Sequence, residues 1–274
     1  MVTRRHSRAG SVVVAAGLLV SSLGCAPGAP GDDTAASDPV DVLHRAAPTL
    51  VRAGSSKTRT EMEMATGGTR VTIHGEGVYD YGRQLGRLKV LLPQDPAGTS
   101  EHRPITELLA PGALFMKNRG AGVPADKWVR VDTGTLSDGN LVTGGATDPF
   151  AAAEVLRGAR SATYVGRAEV DGIPVSHYRG TADLTAASRA ASEGNRAPLR
   201  AAARGFATAT VPFDAYLDDE GRIRKVRHRF SFVNGRQQDT VAVASTTLLY
   251  DFGVHVAVRL PRPEDIYAGK IAED

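Results

Sequence analysis

The most constraining feature of this chain is a long succession of short segments in which apolar and polar residues alternate. Between residues 58 and 252 the breaks carry Gly, Pro, Asp or Asn. A period of two is typical of β-strands, and such short connections join antiparallel neighbours, because parallel strands need long crossovers. The sequence therefore predicts an antiparallel meander. Its strands are expected at residues 58–65, 71–79, 88–92, 105–110, 113–117, 127–131, 162–170, 173–184, 210–217, 223–232 and 241–252.

Helical patterns interrupt the strands in several places. Asp38 and Pro39 predict the N-cap and first position of a helix that is kinked at Pro48, and Asp148 and Pro149 predict another short helix. The first helix suits either packing on the core or direct contact with a ligand. The alanine-rich segment 198–207 suits a surface helix, a lid over a cavity or a membrane-facing element. The predicted helices are residues 38–51, 148–158, 185–192 and 198–207, with an irregular loop at residues 136–147.

One face of the early strands is the candidate ligand site. Gly75 and Gly77 occupy successive positions on a face that Val71 and Ile73 share, and the absent side chains permit either strong curvature or close approach of another group. Every methionine after the initiator lies in this part of the chain. Methionine adapts to varied apolar shapes but also suits a plain core. The expected cavity-lining residues are Met62, Met64, Val71, Ile73, Gly75, Gly77, Leu88, Val90, Leu114, Met116 and Trp128.

The first 24 residues have the pattern of a signal peptide. Three arginines precede an apolar run from Val12 to Leu23. That run is shorter than the roughly 20 residues of a membrane-spanning helix. The only cysteine, Cys25, follows at once and opens a segment rich in Ala, Pro, Gly and Asp. Residues 25–38 therefore predict a flexible tether with a reach of about 20 Å.

The segment Leu23-Gly24-Cys25 resembles the lipobox of bacterial lipoproteins, although Ser22 stands where an aliphatic residue generally lies. The resemblance implies that Cys25 receives a diacylglyceryl group and that acyl chains, palmitate among them, anchor the protein to the outer face of the cell membrane. The alternative is an ordinary secreted protein that keeps one free thiol.

Charge argues against a nucleic-acid partner. The chain carries a formal net charge of +3, and the three arginines of the leader account for it, so the remainder is balanced. Lys225, Arg227 and Arg229 alternate along one predicted strand. They suit either a solvated sheet face or attraction to anionic lipid headgroups.

Sequence motifs for catalysis and for cofactors are absent. The seven histidines form no His-Glu-x-x-His or His-x-His motif, and no nucleophile elbow or phosphate-binding loop occurs. Asp251-Phe252-Gly253 matches a kinase triplet without the other kinase motifs. We therefore expect no enzyme activity, no catalytic residue, no metal site and no cofactor.

Three segments resemble the lipoprotein families related to LppX and LprG and the carrier LolA: residues 170–184, 213–226 and 249–254. The resemblance implies an α+β fold in which helices cover the concave face of a strongly curved antiparallel β-sheet, a half-barrel formed by residues 39–274 as one domain. It also implies an apolar cavity between sheet and helices, which in several relatives holds lipid acyl chains.

Two functions fit this organisation. The first is a membrane-anchored envelope lipoprotein that binds or transfers lipid or another hydrophobic ligand. The alternative is a non-catalytic protein-interaction or stress-sensing envelope module with an envelope protein partner. An open cavity between sheet and helices would favour the first, and a filled interior would favour the second.

Overall fold

The computed structural model describes residues 37–66, 69–93, 103–120, 122–233 and 240–269. The leader, Cys25 and the tether up to residue 36 lie outside the described residues, so the predictions made for them stay predictions. The predicted turns at residues 67–68 and 234–235 lie outside as well.

Eleven strands of the described chain form one open antiparallel sheet, which confirms the predicted α+β class and meander. The order across the sheet is β6-β5-β4-β3-β2-β1-β11-β10-β9-β8-β7. Two successive meanders, β1–β6 and β7–β11, are therefore joined where β1 pairs with β11. The strands are β1 (Ser55–Thr66), β2 (Thr69–Asp80), β3 (Leu85–Leu91), β4 (Ile105–Ala110), β5 (Ala113–Lys117), β6 (Val129–Asp132), β7 (Ala159–Val170), β8 (Ile173–Asp183), β9 (Thr210–Leu217), β10 (Ile223–Val233) and β11 (Thr240–Tyr250).

Three of the helices begin at a capping aspartate, Asp38, Asp148 or Asp183. Asp38 accepts from the Val40 N–H at 2.8 Å, and Asp148 accepts from the Phe150 and Ala151 N–H groups, as the sequence predicts. The first predicted helix is divided at Arg45, three residues before Pro48. The α-helices are α1 (Pro39–His44), α2 (Ala46–Ala53), α3 (Pro149–Val155), α4 (Leu184–Ala190) and α5 (Glu193–Gly205), and a 3₁₀ turn at Leu156–Gly158 extends α3.

The largest error in a predicted helix start is five residues. Helix α5 begins at Glu193, whereas the sequence places its start at Pro198. The buried carboxylate of Glu154 sets this start, because it accepts hydrogen bonds from the Ser192 N–H, the Ser192 hydroxyl and the Asn195 amide. Glu154 is distant in sequence, so the local pattern contains no sign of this anchor.

The main hydrophobic core lies between the inner face of the sheet and the helices. Helix α3 contacts β10 and β11, and α2 contacts β1. Tyr79 of β2 lies 6.4 Å, ring to ring, from Phe150 of α3, and Phe206 after α5 stacks on Phe230 of β10 at 4.8 Å. The helices therefore cover this inner side, which we call the concave face.

Strands β2 and β3 approach each other closely at Gly77. A Cβ atom at this position of β2 would overlap the backbone carbonyl oxygen of Arg87 in β3. Glycine is the residue that permits such an approach. Of the two interpretations given for Gly75 and Gly77, the structure at Gly77 fits strong curvature.

The other side of the sheet, the convex face, is partly covered by the segment 254–267. Val256 and Val258 pack there with Leu108 and Phe115 of β4 and β5. The backbone N–H of Trp128 donates to the Asp265 carbonyl at 2.9 Å. The segment therefore also pairs with the chain directly before β6. Val78 of β2 and Leu85 of β3 also pack against this cluster, whereas the outward side chains of Arg59, Arg70, Arg87 and Lys89 stay exposed.

Candidate functional site

A loop occupies the concave interior, where a ligand cavity is expected. Residues 136–147 form an irregular loop, as the sequence predicts, but most of its residues from 138 onward are buried. Leu141 is fully enclosed, and Ala146 is 1% exposed. We call these residues the inserted loop.

The inserted loop contacts the strands that the sequence assigns to the ligand site. At Gly145 a Cβ atom would lie 3.4 Å from Val90 and 3.5 Å from Ile73. At Gly75 it would lie 3.0 Å from the Cβ of Ala146. The space beside Gly75 is therefore taken by the chain itself.

Most hydrogen bonds of the inserted loop are made within the loop. The Asp138 carboxylate accepts from the N–H groups of Asn140, Val142 and Thr143. Thr147 donates to the Leu141 carbonyl at 2.9 Å. A loop that satisfies its own polar groups internally is buried at a smaller desolvation cost.

Within the described residues, few side-chain hydrogen bonds join the inserted loop to the sheet and its connections. The Thr147 and Ser245 hydroxyls lie 2.5 Å apart, which ties the end of the loop to β11. Arg119, just after β5, donates to the Gly144 carbonyl over 3.4 Å. Gly145 and Ala146 meet the sheet through apolar contact.

The loop also passes close to α5. Gly139 has a φ of +60°, and a Cβ atom there would overlap the backbone carbonyl of Pro198. Only glycine adopts this conformation at such close range without strain. The first residues of the inserted loop therefore pass between the sheet and α5.

Glu107 of β4 is a buried acid that faces the inserted loop. Its side chain is fully enclosed, and neither carboxyl oxygen has a hydrogen-bond partner in the described structure. A Cβ atom at Gly144 would lie 3.1 Å from the carboxyl group. Burial raises the pKa of Glu107 to about 8, and Arg119 moderates the shift.

Three further polar side chains of the concave face lack partners within the described residues. Thr58 and Thr60 of β1 have no partner for their hydroxyls, and His228 of β10 has none for Nε2. Burial lowers the pKa of His228 to about 3, so the ring is neutral at ordinary pH. The interior therefore combines an apolar lining with unpaired hydrogen-bonding groups.

The structure brings most of the predicted cavity residues together. Six of the predicted cavity residues belong to the hydrophobic core on the concave side, and Met64 and Val71 are partly buried against that core. Trp128 instead packs with the convex-face cluster. Contact of these residues with a ligand stays a prediction. The six core residues are Met62, Ile73, Leu88, Val90, Leu114 and Met116.

Neither Glu107 nor the burial of the inserted loop is predicted from the sequence. Asp138-Gly139-Asn140 is a turn signal, which by itself indicates only an irregular loop. Burial of such a segment depends on strands that are remote in sequence. A carboxylate in an otherwise apolar strand is the one local sign of an unusual interior position.

A small cleft lies beside the inserted loop. It has a volume of about 160 Å³ and lies among the loop, the end of α5 and β10. Phe206 and Phe232 form its apolar side, and Asp138 and Thr143 its polar side.

The charged cluster around Asp214 on the convex face binds the strands to one another. The buried Asp214 carboxylate accepts from His177, Arg179 and Arg229, which lie on the two strands beside β9. Burial opposes ionisation, but these hydrogen bonds outweigh it and lower the pKa of Asp214 to about 2. Among the residues that the structure describes, no group of three or more His, Cys, Asp or Glu side chains is arranged to hold a metal ion.

A search for similar proteins found structural neighbours only. No protein-family model matches the chain, and no curated protein matches it in sequence. LprF from Mycobacterium bovis is 13% identical with a TM-score of 0.40 over 81% of this chain and 96% of that one. The lipoprotein LppX from Mycobacterium tuberculosis is 9% identical with a TM-score of 0.41, over 80% and 99%. A LolA superfamily protein from Nitrosomonas europaea is 10% identical with a TM-score of 0.35, over 79% and 96%. LppX and LolA also name the families that the sequence resembles.

The described part of the chain contains no helix with the length and apolar character that crossing a membrane requires.

Proposed function

We propose that this chain is a non-catalytic envelope protein that takes up an apolar chain, such as a lipid acyl chain, in its concave interior when the inserted loop moves out. The observation that carries the proposal is the way the interior is filled. A self-contained loop occupies it, while strands and helices supply the surrounding apolar wall. The loop can leave without unfolding the sheet.

The energetics of an acyl chain fit such a site. Exposure of a sixteen-carbon chain to water costs on the order of 13 kcal/mol, at about 0.8 kcal/mol per methylene. The side chains that would replace water are buried aliphatic ones, among them Leu88, Val90 and Leu114. When the loop leaves, the ligand covers the surface that the loop had covered.

Movement of the loop costs few polar interactions. The internal bonds of Asp138 are kept, while the Thr147 to Ser245 contact and the long Arg119 contact are lost. Each neutral hydrogen bond contributes about 1 kcal/mol. Ligand burial on the scale above can compensate for such a loss.

The proposal places the protein at the membrane. Residues 1–24 act as the signal peptide, lipidated Cys25 anchors the chain on the extracytoplasmic face, and residues 25–38 tether the domain. Two or three acyl chains on one cysteine hold a protein stably, whereas a single chain binds marginally. Intact-mass analysis of the membrane fraction tests the modification of Cys25 independently of ligand uptake.

A disulfide that fastens the loop tests the uptake mechanism. The variant carries Thr147→Cys and Ser245→Cys, whose native hydroxyls lie 2.5 Å apart, and Cys25→Ala removes the only other thiol. The protein starts at residue 25, and its compact unit from Ser37 onward is intact. We expect the oxidised variant to lose uptake of a fluorescent fatty acid and the reduced variant to regain it.

A second disulfide is the matched control. Ser161→Cys and Thr181→Cys lie on the exposed β7–β8 hairpin, where the native hydroxyls are 2.9 Å apart, so oxidation there should leave uptake unchanged. Native mass spectrometry after purification checks for lipid that accompanies the protein. Absence of both bound lipid and uptake from the reduced proteins would count against the proposal.

The filled interior also favours a second candidate, a protein-interaction or stress-sensing envelope module. In that case the loop stays in place, and neither disulfide affects function. Cross-linking in cells would then capture one partner in stoichiometric amount, and the oxidised Thr147→Cys/Ser245→Cys variant would still capture it.

A further inference from the structure

The uncovered part of the convex face carries an excess of basic side chains. They occupy outward positions on β1, β2, β3 and β10, where period-two alternation places their neighbours in the core. Arg59, Arg70, Arg87, Lys89 and Arg229 are exposed. We call this set the basic face, and with the half-buried members it comprises Arg59, Arg70, Arg87, Lys89, Lys225, Arg227 and Arg229.

Acidic residues on the same strands neutralise only part of this charge. Glu63 binds Arg227 at 3.1 Å, and Asp214 of β9 binds Arg229 at 2.9 Å. Glu76 lies opposite both Arg59 and Lys89 in the sheet register, so one acid stands between two cations. Glu61 and Asp80 also occupy outward positions of β1 and β2, and Lys57 is paired with Asp251. The seven cations of the basic face therefore meet five acids, Glu61, Glu63, Glu76, Asp80 and Asp214, which leaves a surplus of two positive charges over the whole face.

Apolar and aromatic side chains are interleaved with these cations. Leu91, two residues after Lys89 on the same face of β3, is 43% exposed. Tyr250 lies beneath the Arg59 guanidinium at 5.2 Å and, with Arg87 and Lys89, lines an open groove of about 480 Å³. Cations combined with exposed apolar and aromatic groups are typical of surfaces that meet the lipid headgroup region.

We infer that the basic face docks on an anionic phospholipid surface. The charges are spread at alternate positions over neighbouring strands that are about 4.8 Å apart, which matches a surface of many headgroups. Each Lys or Arg near such a surface contributes about a fivefold gain in binding. The contact is separate from the concave interior, because it uses the opposite side of the sheet.

The test measures binding of the chain from residue 25, with Cys25→Ala, to two kinds of vesicle. One kind is pure phosphatidylcholine, and the other contains phosphatidylglycerol in equal parts. We expect co-sedimentation only with the second kind, and its loss at high salt. The variant Arg87→Glu with Lys89→Glu should bind at least about 30-fold more weakly, since two favourable charges are lost.

The matched control reverses two exposed arginines of α5, Arg200→Glu with Arg204→Glu, which changes the net charge of the protein by the same amount. Its vesicle binding should stay within about twofold of the unmodified protein, and circular dichroism checks that both variants fold. Equal losses in the two variants, binding that ignores phosphatidylglycerol, or binding to an acidic peptide in place of vesicles would overturn the inference. Fatty-acid uptake should be unaffected by either variant.

Discussion

At the scale of single residues, the concave interior contains an acid under strong desolvation. Glu107 has an ordinary pKa of 4.5, and burial raises the pKa to about 8 in the folded chain. Between these values the folded protein holds a proton that the unfolded chain has released. The free energy of unfolding therefore falls as the pH rises through this range.

His228 has the opposite effect at lower pH. Its ordinary pKa is 6.5, and burial lowers it to about 3, so between these values the unfolded chain binds a proton that the folded chain does not. Its contribution to stability rises with pH and is complete above 6.5. Between about pH 6.5 and pH 8 His228 no longer changes the free energy of unfolding with pH. The fall caused by Glu107 is therefore the change that is measured in this window.

We predict that the free energy of unfolding falls by roughly 1.4 kcal/mol per pH unit between about 6.5 and 8. Urea unfolding at several pH values in this window measures the slope. In Glu107→Gln, which has no titrating group, the slope should largely disappear, whereas Glu76→Gln on the exposed face should retain it. An unchanged slope in Glu107→Gln would show that another group is responsible.

At the scale of elements, β2 and β3 approach each other closely at Gly77. We predict that Gly77→Ala destabilises the fold by about 3 kcal/mol or more, because its Cβ atom would overlap a backbone carbonyl that cannot rotate away. Thermal or urea unfolding measures the loss. Gly82→Ala is the matched control: its nearest neighbour would be an Asp80 side-chain oxygen 3.5 Å away, and its stability should change little. Equal stability of the two variants would contradict the close approach.

The strands could be predicted from sequence because their information is local. Period-two alternation and turn residues such as Asp171-Gly172 are contained in a few consecutive positions. The start of α5 could not be predicted, since Glu154 sets it from across the fold. The site was predicted in part: the aliphatic wall around Leu88 follows from alternation, but Trp128 shares that pattern and packs on the other side.

The burial of the inserted loop could not be predicted, for the same physical reason. Its local signal is polar and rich in turn residues, which usually indicates a surface position. Asp138 satisfies the backbone of the loop internally, so burial carries a smaller desolvation cost than composition suggests. Which segment occupies the concave side is determined only by the shape of the complete sheet.

At the scale of the whole molecule, the C-terminal segment closes the convex side. We predict that Val256→Ala with Val258→Ala lowers the free energy of unfolding by about 3 kcal/mol, at about 0.8 kcal/mol per lost methylene. The emission of Trp128, the only tryptophan, should shift to the red, since it packs in the same cluster. His255→Ala with Arg259→Ala alters exposed positions of this segment and should change neither quantity. An unshifted emission in the valine variant would indicate that the segment does not shield the indole.

The join between the two meanders has a consequence for how the protein is made. Strands β2–β6 can pair with their sequence neighbours as they are synthesised, but β1 finds its second partner only in β11, about 180 residues later. The Thr147 contact of the inserted loop also requires β11. We expect the core to stay open until the last strand has been synthesised and then to close in one late step.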